Sequence, residues 1–125
     1  MQWLFVASGG ALGAMARFYI TAHLYPVAGN RFPVGTLIVN LLGCALVACC
    51  YVVIVEKALL SPHWRHLLVT GFLGALTTFS TFSLDALLLW QNGLHGMALA
   101  YVLCNLLGCL LVVAASWYLV NFMLS

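Results

Sequence analysis

The stretch Thr77-Thr78-Phe79-Ser80-Thr81-Phe82-Ser83 lies in the middle of a chain otherwise built to dissolve in lipid. Hydrocarbon offers no water to polar groups. A hydroxyl-rich, poorly helix-forming segment at membrane depth is therefore tolerated only where it is buried in protein or lines a pathway. Read as a helix, the run puts Phe79 and Phe82 on one face, Ser80 and Ser83 on another, and Thr77 with Thr81 on a third. Gly74 and the two β-branched threonines that follow are poor helix sequence, which predicts a break there. A break frees backbone carbonyls that can hold a small cation and amide donors that can face an anion.

Outward from this run the chain is apolar. Of its 125 residues, 66% are apolar and 5% charged, and the mean hydropathy is +1.15. Soluble domains carry charge on roughly a quarter of their residues, so this composition defines an integral membrane protein. Apolar stretches run over about 3–24, 34–55 and 95–122, and a fourth, 65–90, is apolar at both ends with the hydroxyl run between. Each exceeds the ~20 residues that cross a ~30 Å hydrocarbon layer. Pro26, Pro33 and Pro62 fall between the stretches, as do Asn30, Ser61, Asn92 and Gly93, all turn or breaker residues. The expected fold is all-α, a single four-helix transmembrane domain over residues 1–125, its third helix broken near the middle. Residues 1–20 do not read as a cleaved signal peptide, because Arg17 follows the apolar run instead of preceding it.

Lys and Arg are divided almost evenly between the two sides. One side holds both termini with Lys57 and Arg65; the other holds Arg31 and an uncharged third loop, and Arg17 lies inside the first span. So weak a bias allows insertion either way round, and small four-helix proteins that do so can pair antiparallel.

Few residues carry the chemistry of catalysis. The only carboxylates are Glu56, beside Lys57 at a span end, and Asp85. His23, His63, His66 and His95 fall in or beside loops without a further metal ligand nearby. No nucleophile with a base, and no carboxylate pair, can be assembled, so the chain does not read as an enzyme. Cys44, Cys49, Cys50, Cys104 and Cys109 all lie within spans; their odd number argues against a disulfide framework or zinc site, and they read as small residues at helix contacts.

Two patterns recur. Asn40-Leu41-Leu42-Gly43-Cys44 reappears as Asn105-Leu106-Leu107-Gly108-Cys109, and Gly10-Ala11-Leu12-Gly13-Ala14 is echoed by Gly71-Phe72-Leu73-Gly74-Ala75, at offsets of 65 and 61 residues. These offsets suit a duplicated helical hairpin, and chance convergence among Leu, Gly and Ala accounts for them equally well. Each Asn sits near mid-span and needs a polar partner or a pathway. The small residues Gly9, Gly10, Gly13 and Ala14 recur at the spacing that lets helix backbones approach. Four helices so packed leave no room for a wide pore, so a conduit should be narrow or lie between subunits.

Hydroxyls, an Asn amide and aromatic ring edges all present positive partial charge, which suits a small anion; hydroxyl oxygens serve cations equally well. The residues then reach a known pattern. The run Gly71-Phe72-Leu73-Gly74-Ala75-Leu76-Thr77 to Ser83 resembles the signature of the Fluc (CrcB) fluoride channels, supported by Gly9–Arg17 and by Gly35-Thr36 with Asn40 and Gly43. That resemblance implies passive export of fluoride from the cytoplasm through two pores of an antiparallel, dual-topology homodimer in a bacterial plasma (inner) membrane. It implies Phe79 and Phe82 as ring edges on fluoride, Asn40 as a donor to it, and Ser80, Thr81 and Ser83 as a polar track. Backbone carbonyls of Gly74 and Thr77 would bind a structural sodium ion at the dimer centre, and Arg17 would draw anions to a pore mouth. Asp85 stands where members often carry Glu, as a vestibule residue. Asn105 stands where relatives can use a small hydroxyl residue, with Tyr101 one turn earlier as a further lining residue. A small proton-coupled multidrug-type exporter shares length and helix count but needs a carboxylate in the first span, where this chain has only Arg17. A non-transporting scaffold would leave the hydroxyl run and both asparagines without a purpose.

Overall fold

The computed structural model describes residues 1–24 and 32–125. The turn readings at Pro26, Asn30 and Arg31 lie outside the described residues. Among those described, the chain is all-helical, and four helices are long and apolar enough to cross a membrane: Gln2–Leu24, Val34–Glu56, Arg65–Gln91 and His95–Met123, here spans one to four.

The punctuation between spans is local chemistry. Pro33, which has no N–H to leave unsatisfied, immediately precedes span two. Span three ends in a glycine cap: Gly93 takes a left-handed φ of 78°, its N–H reaches Trp90 O at 3.1 Å, and Leu94 N–H reaches back to Leu89 O at 3.0 Å. Those two bonds satisfy carbonyls that the end of a helix leaves open, and only a residue without Cβ adopts that φ freely. Span four starts two residues later.

Span one packs along the first part of span three. A Cβ on Gly9 would collide with the backbone of Leu67 and Phe72, and one on Gly13 with the backbone of Phe72. The two helices meet backbone to backbone, which is what small residues at this spacing allow. Spans two and four form the other close pair. Because the chain crosses in alternation, they run parallel, and their register is constant: Asn40 bonds Asn105 and Glu56 bonds Asn121, each pair 65 residues apart. The repeated Asn-Leu-Leu-Gly-Cys pentapeptides are thereby laid side by side.

Span three is not one continuous helix in its backbone angles. Arg65–Leu73 is wound as a π-helix and Gly74–Leu76 as a single α turn. Thr77 (φ −85°, ψ 156°) and Thr78 (φ −151°, ψ 123°) are extended, and Phe79–Gln91 then resumes as α-helix. The Thr77–Thr81 stripe expected for an unbroken helix does not form. Thr77 precedes the new helix, and its neighbour Thr78 caps it.

Two small apolar clusters lie on either side of this point. Val39, Leu73 and Leu76 form one, with Phe72 and Val47 against it; Phe82, Leu89, Ala98 and Tyr101 form the other. Little else is enclosed. Only Gly9 and Gly13 of span one and Ala98, Tyr101 and Asn105 of span four are buried, leaving wide apolar faces for lipid or another chain.

Candidate functional site

Breaking a helix at membrane depth strands backbone N–H and C=O groups, each costing several kcal/mol if unmet in hydrocarbon. Asn40 of span two answers that cost. Its Oδ1 accepts the Thr78 N–H at 2.9 Å and its Nδ2 donates to the Thr78 carbonyl at 3.2 Å, so one side-chain amide pairs with the extended backbone as a neighbouring strand would. The same Nδ2 donates to Asn105 Oδ1 of span four at 3.0 Å, and Asn105 Nδ2 donates to Tyr101 O at 3.0 Å. Asn40, Thr78 and Asn105 are all buried, and among the described residues no buried side-chain polar atom is left unmet.

Thr78 also starts the helix that follows. Its Oγ1 accepts the Thr81 N–H at 3.1 Å, an N-cap bond of the kind Ser and Thr supply. The fourth-residue donors that Gly74 and Thr77 would have in a continuous helix are thus both taken by side chains, Thr78 N–H by Asn40 and Thr81 N–H by Thr78. The carbonyls of Gly74 and Thr77 are released. Hard oxygen donors of this kind fit a hard monovalent cation, and Gly74 is exposed.

Two open clefts meet at the break. One, ≈450 Å³, is largely apolar and is lined by Gly74, Thr77, Phe79, Phe82, Asn40 and Asn105, with Cys44 and Cys109 beyond them. The other, ≈500 Å³, is more polar and is lined by Arg17, Thr21, Thr36, Thr81 and Asp85. Thr78 lines both. The site residues read from the sequence are therefore divided between two sides of one wall. Phe79, Phe82, Asn40 and Asn105 face the first cleft, Arg17, Thr81 and Asp85 the second, and Ser80 and Ser83 are exposed but line neither.

The aromatic pair behaves asymmetrically. Phe82 is buried, with its ring 5.4 Å from those of both Tyr101 and Phe79, whereas Phe79 is 72% exposed. Two of the hydroxyls bond locally: Ser83 Oγ donates to Phe79 O at 2.8 Å, and Ser80 Oγ sits 3.2 Å from Thr78 Oγ1. Asp85 ties three spans together, its Oδ2 accepting the Tyr101 hydroxyl and the Thr36 hydroxyl, each at 3.1 Å. Tyr101 is fully buried, so its part in the site is to hold Asp85 and back Phe82.

Thr36 and Thr78 carry more of the site than sequence reasoning gave them. Thr36 lies one turn before Asn40, the i, i+4 spacing that puts both on one helix face, and Thr78 is the Ser/Thr residue that opens a helix. Glu56, exposed at the end of span two, accepts the Trp117 indole N–H at 2.8 Å and the Asn121 amide at 3.0 Å.

Four apolar spans, with buried amides meeting the extended backbone at Thr78 and a polar and an apolar cleft beside it, make this a multi-pass membrane protein. The profile of the family described as "CrcB-like protein, Camphor Resistance (CrcB)" matches residues 4–117, and the chain belongs to that family. Curated relatives called "Fluoride-specific ion channel FluC" include one from Saccharophagus degradans, 56% identical over 103 residues covering 82% of this chain and 77% of the relative. Another, from Hahella chejuensis, is 49% identical over 121 residues, covering 97% of this chain and 95% of the relative. One from Acidobacterium capsulatum is 46% identical over 101 residues, 81% of each.

Proposed function

We propose that this chain is a fluoride-selective channel that lets the ion leave the cytoplasm passively across a bacterial inner membrane. The observation that carries the reading is the likeness to relatives named for fluoride, one of them aligned over 97% of this chain. The geometry supports it. Phe79, Phe82, Asn40 and Asn105 line one cleft, and aromatic ring edges and amide N–H groups both carry positive partial charge that suits an anion. Both N–H groups of Asn40 are engaged, so an arriving anion would displace either Asn105 Oδ1 or the Thr78 carbonyl. Closely placed donors favour the small, hard fluoride over chloride, which gains less from them for the dehydration it must undergo. Arg17 beside the second cleft raises local anion concentration at its mouth. Passive flux needs no chemical step, and no residue here is assigned a catalytic role.

The working unit we propose is an antiparallel homodimer of dual topology, with two pores and span three acting as a discontinuous helix in each subunit. Its supports are the even Lys and Arg distribution, the exposure of Gly74 and Phe79, and the wide unburied faces of spans one and four. Released carbonyls of Gly74 and Thr77 from both subunits would hold a sodium ion between the two breaks, where it supplies a fixed structural charge. A C-terminal tag should be reachable from both faces of a sealed membrane; labelling from one face alone contradicts the arrangement. Proteoliposomes should release fluoride, with a potassium ionophore as counter-ion path and no proton gradient. Release that requires a proton gradient contradicts a passive channel.

A further inference from the structure

The constant 65-residue register between spans two and four has a consequence beyond Asn40 and Asn105. One helical turn further along, the same register sets Cys44 beside Cys109 across the two helices. Neither is sealed: both are partly exposed and both line the ≈450 Å³ cleft beyond Asn40 and Asn105. Gly108 immediately precedes Cys109 and keeps the two helices close, a Cβ there falling 3.0 Å from Leu41 Cδ2, whereas Gly43 lies against Thr77 of span three. Register bonds at both ends, Asn40 to Asn105 and Glu56 to Asn121, fix the pair lengthwise.

We propose that Cys44 and Cys109 form a two-thiolate site for a soft cation that takes linear coordination, with Hg²⁺ as the probe. Soft thiolates select such ions over the hard cations suited to the Gly74 and Thr77 carbonyls. Two thiols complete a linear ion but not tetrahedral zinc, because among the described residues no group of three or more His, Cys, Asp or Glu comes together. On binding, two S–H bonds are lost, two Hg–S bonds form, two protons are released and no atom changes oxidation state. The site lies on the cleft that the proposed function makes the anion path, so its effect on flux rests on that reading.

The test uses the full-length chain with Cys49→Ala, Cys50→Ala and Cys104→Ala, leaving these two thiols. Hg²⁺ should bind at one ion per chain, remove both thiols from reaction with a thiol reagent, and develop sulfur-to-mercury charge-transfer absorbance. Against a competing free monothiol, the pair should hold the ion roughly 10²- to 10⁴-fold more tightly than a chain further changed at Cys44→Ala or Cys109→Ala. Two ions per chain, one ion per two chains, or equal retention by the single-thiol variants overturns the site. Should the triple variant not fold, Cys44→Ala and Cys109→Ala in the otherwise unchanged chain must each lose one tightly held ion. Fluoride efflux should fall with occupancy and return on adding a dithiol. If both thiols are bridged and efflux persists, the site stands and the assignment of this cleft as the fluoride path fails.

Discussion

At the scale of single residues, Asn40 carries the most. One amide meets the N–H and the carbonyl of Thr78 and bonds Asn105. Each buried group left unmet costs about 1–3 kcal/mol. Asn40→Ala should therefore lower the thermal stability of the purified protein and abolish fluoride flux together. Retained stability with retained flux would show that another group serves the break. The need for a partner near mid-span was legible in Asn40 and Asn105, because an amide in hydrocarbon cannot stand alone. Their pairing with each other and with Thr78 was not. Which threonine opens the second helix depends on Asn40 reaching across from another span, and no local propensity separates Thr77 from Thr78.

At the scale of elements, the spans are placed by close backbone approach and by register. Gly13→Ala should push span one away from Phe72 and lower the melting temperature in detergent. Gly96→Ala is the control: in the first turn of span four, a Cβ there meets nothing within 4 Å, so the change should leave stability equal or slightly higher. Equal effects of the two changes would contradict the packing. Four apolar helices were legible because hydrocarbon thickness and chain geometry demand stretches of that length. The pentapeptide repeat was legible as a pattern, and its structural use, the parallel register of spans two and four, was hidden because register depends on contacts at both Asn40 and Glu56. The division of the hydroxyl run between two clefts was hidden for a related reason. Once Thr77 and Thr78 are extended, the faces of Phe79–Gln91 are counted from a new start, and Thr81 turns toward Arg17 while Phe79 and Phe82 turn the other way.

At the scale of the whole molecule, the protomer encloses little and leaves its polar centre open along the cleft beside Gly74, Thr77 and Phe79. A second, antiparallel copy set against that face would bring two breaks together and close two narrow paths, with released carbonyls meeting at the axis. If the proposed dimer holds sodium there, exhaustive removal of sodium should abolish flux and weaken the proposed dimer, with recovery on readdition. Activity that survives sodium removal would place the carbonyls of Gly74 and Thr77 outside any cation site. The central claim is halide selectivity at this break, and it is tested most directly by efflux from proteoliposomes loaded with fluoride or with chloride. Rapid fluoride release with chloride retained is the predicted result, and equal release of the two halides would contradict it.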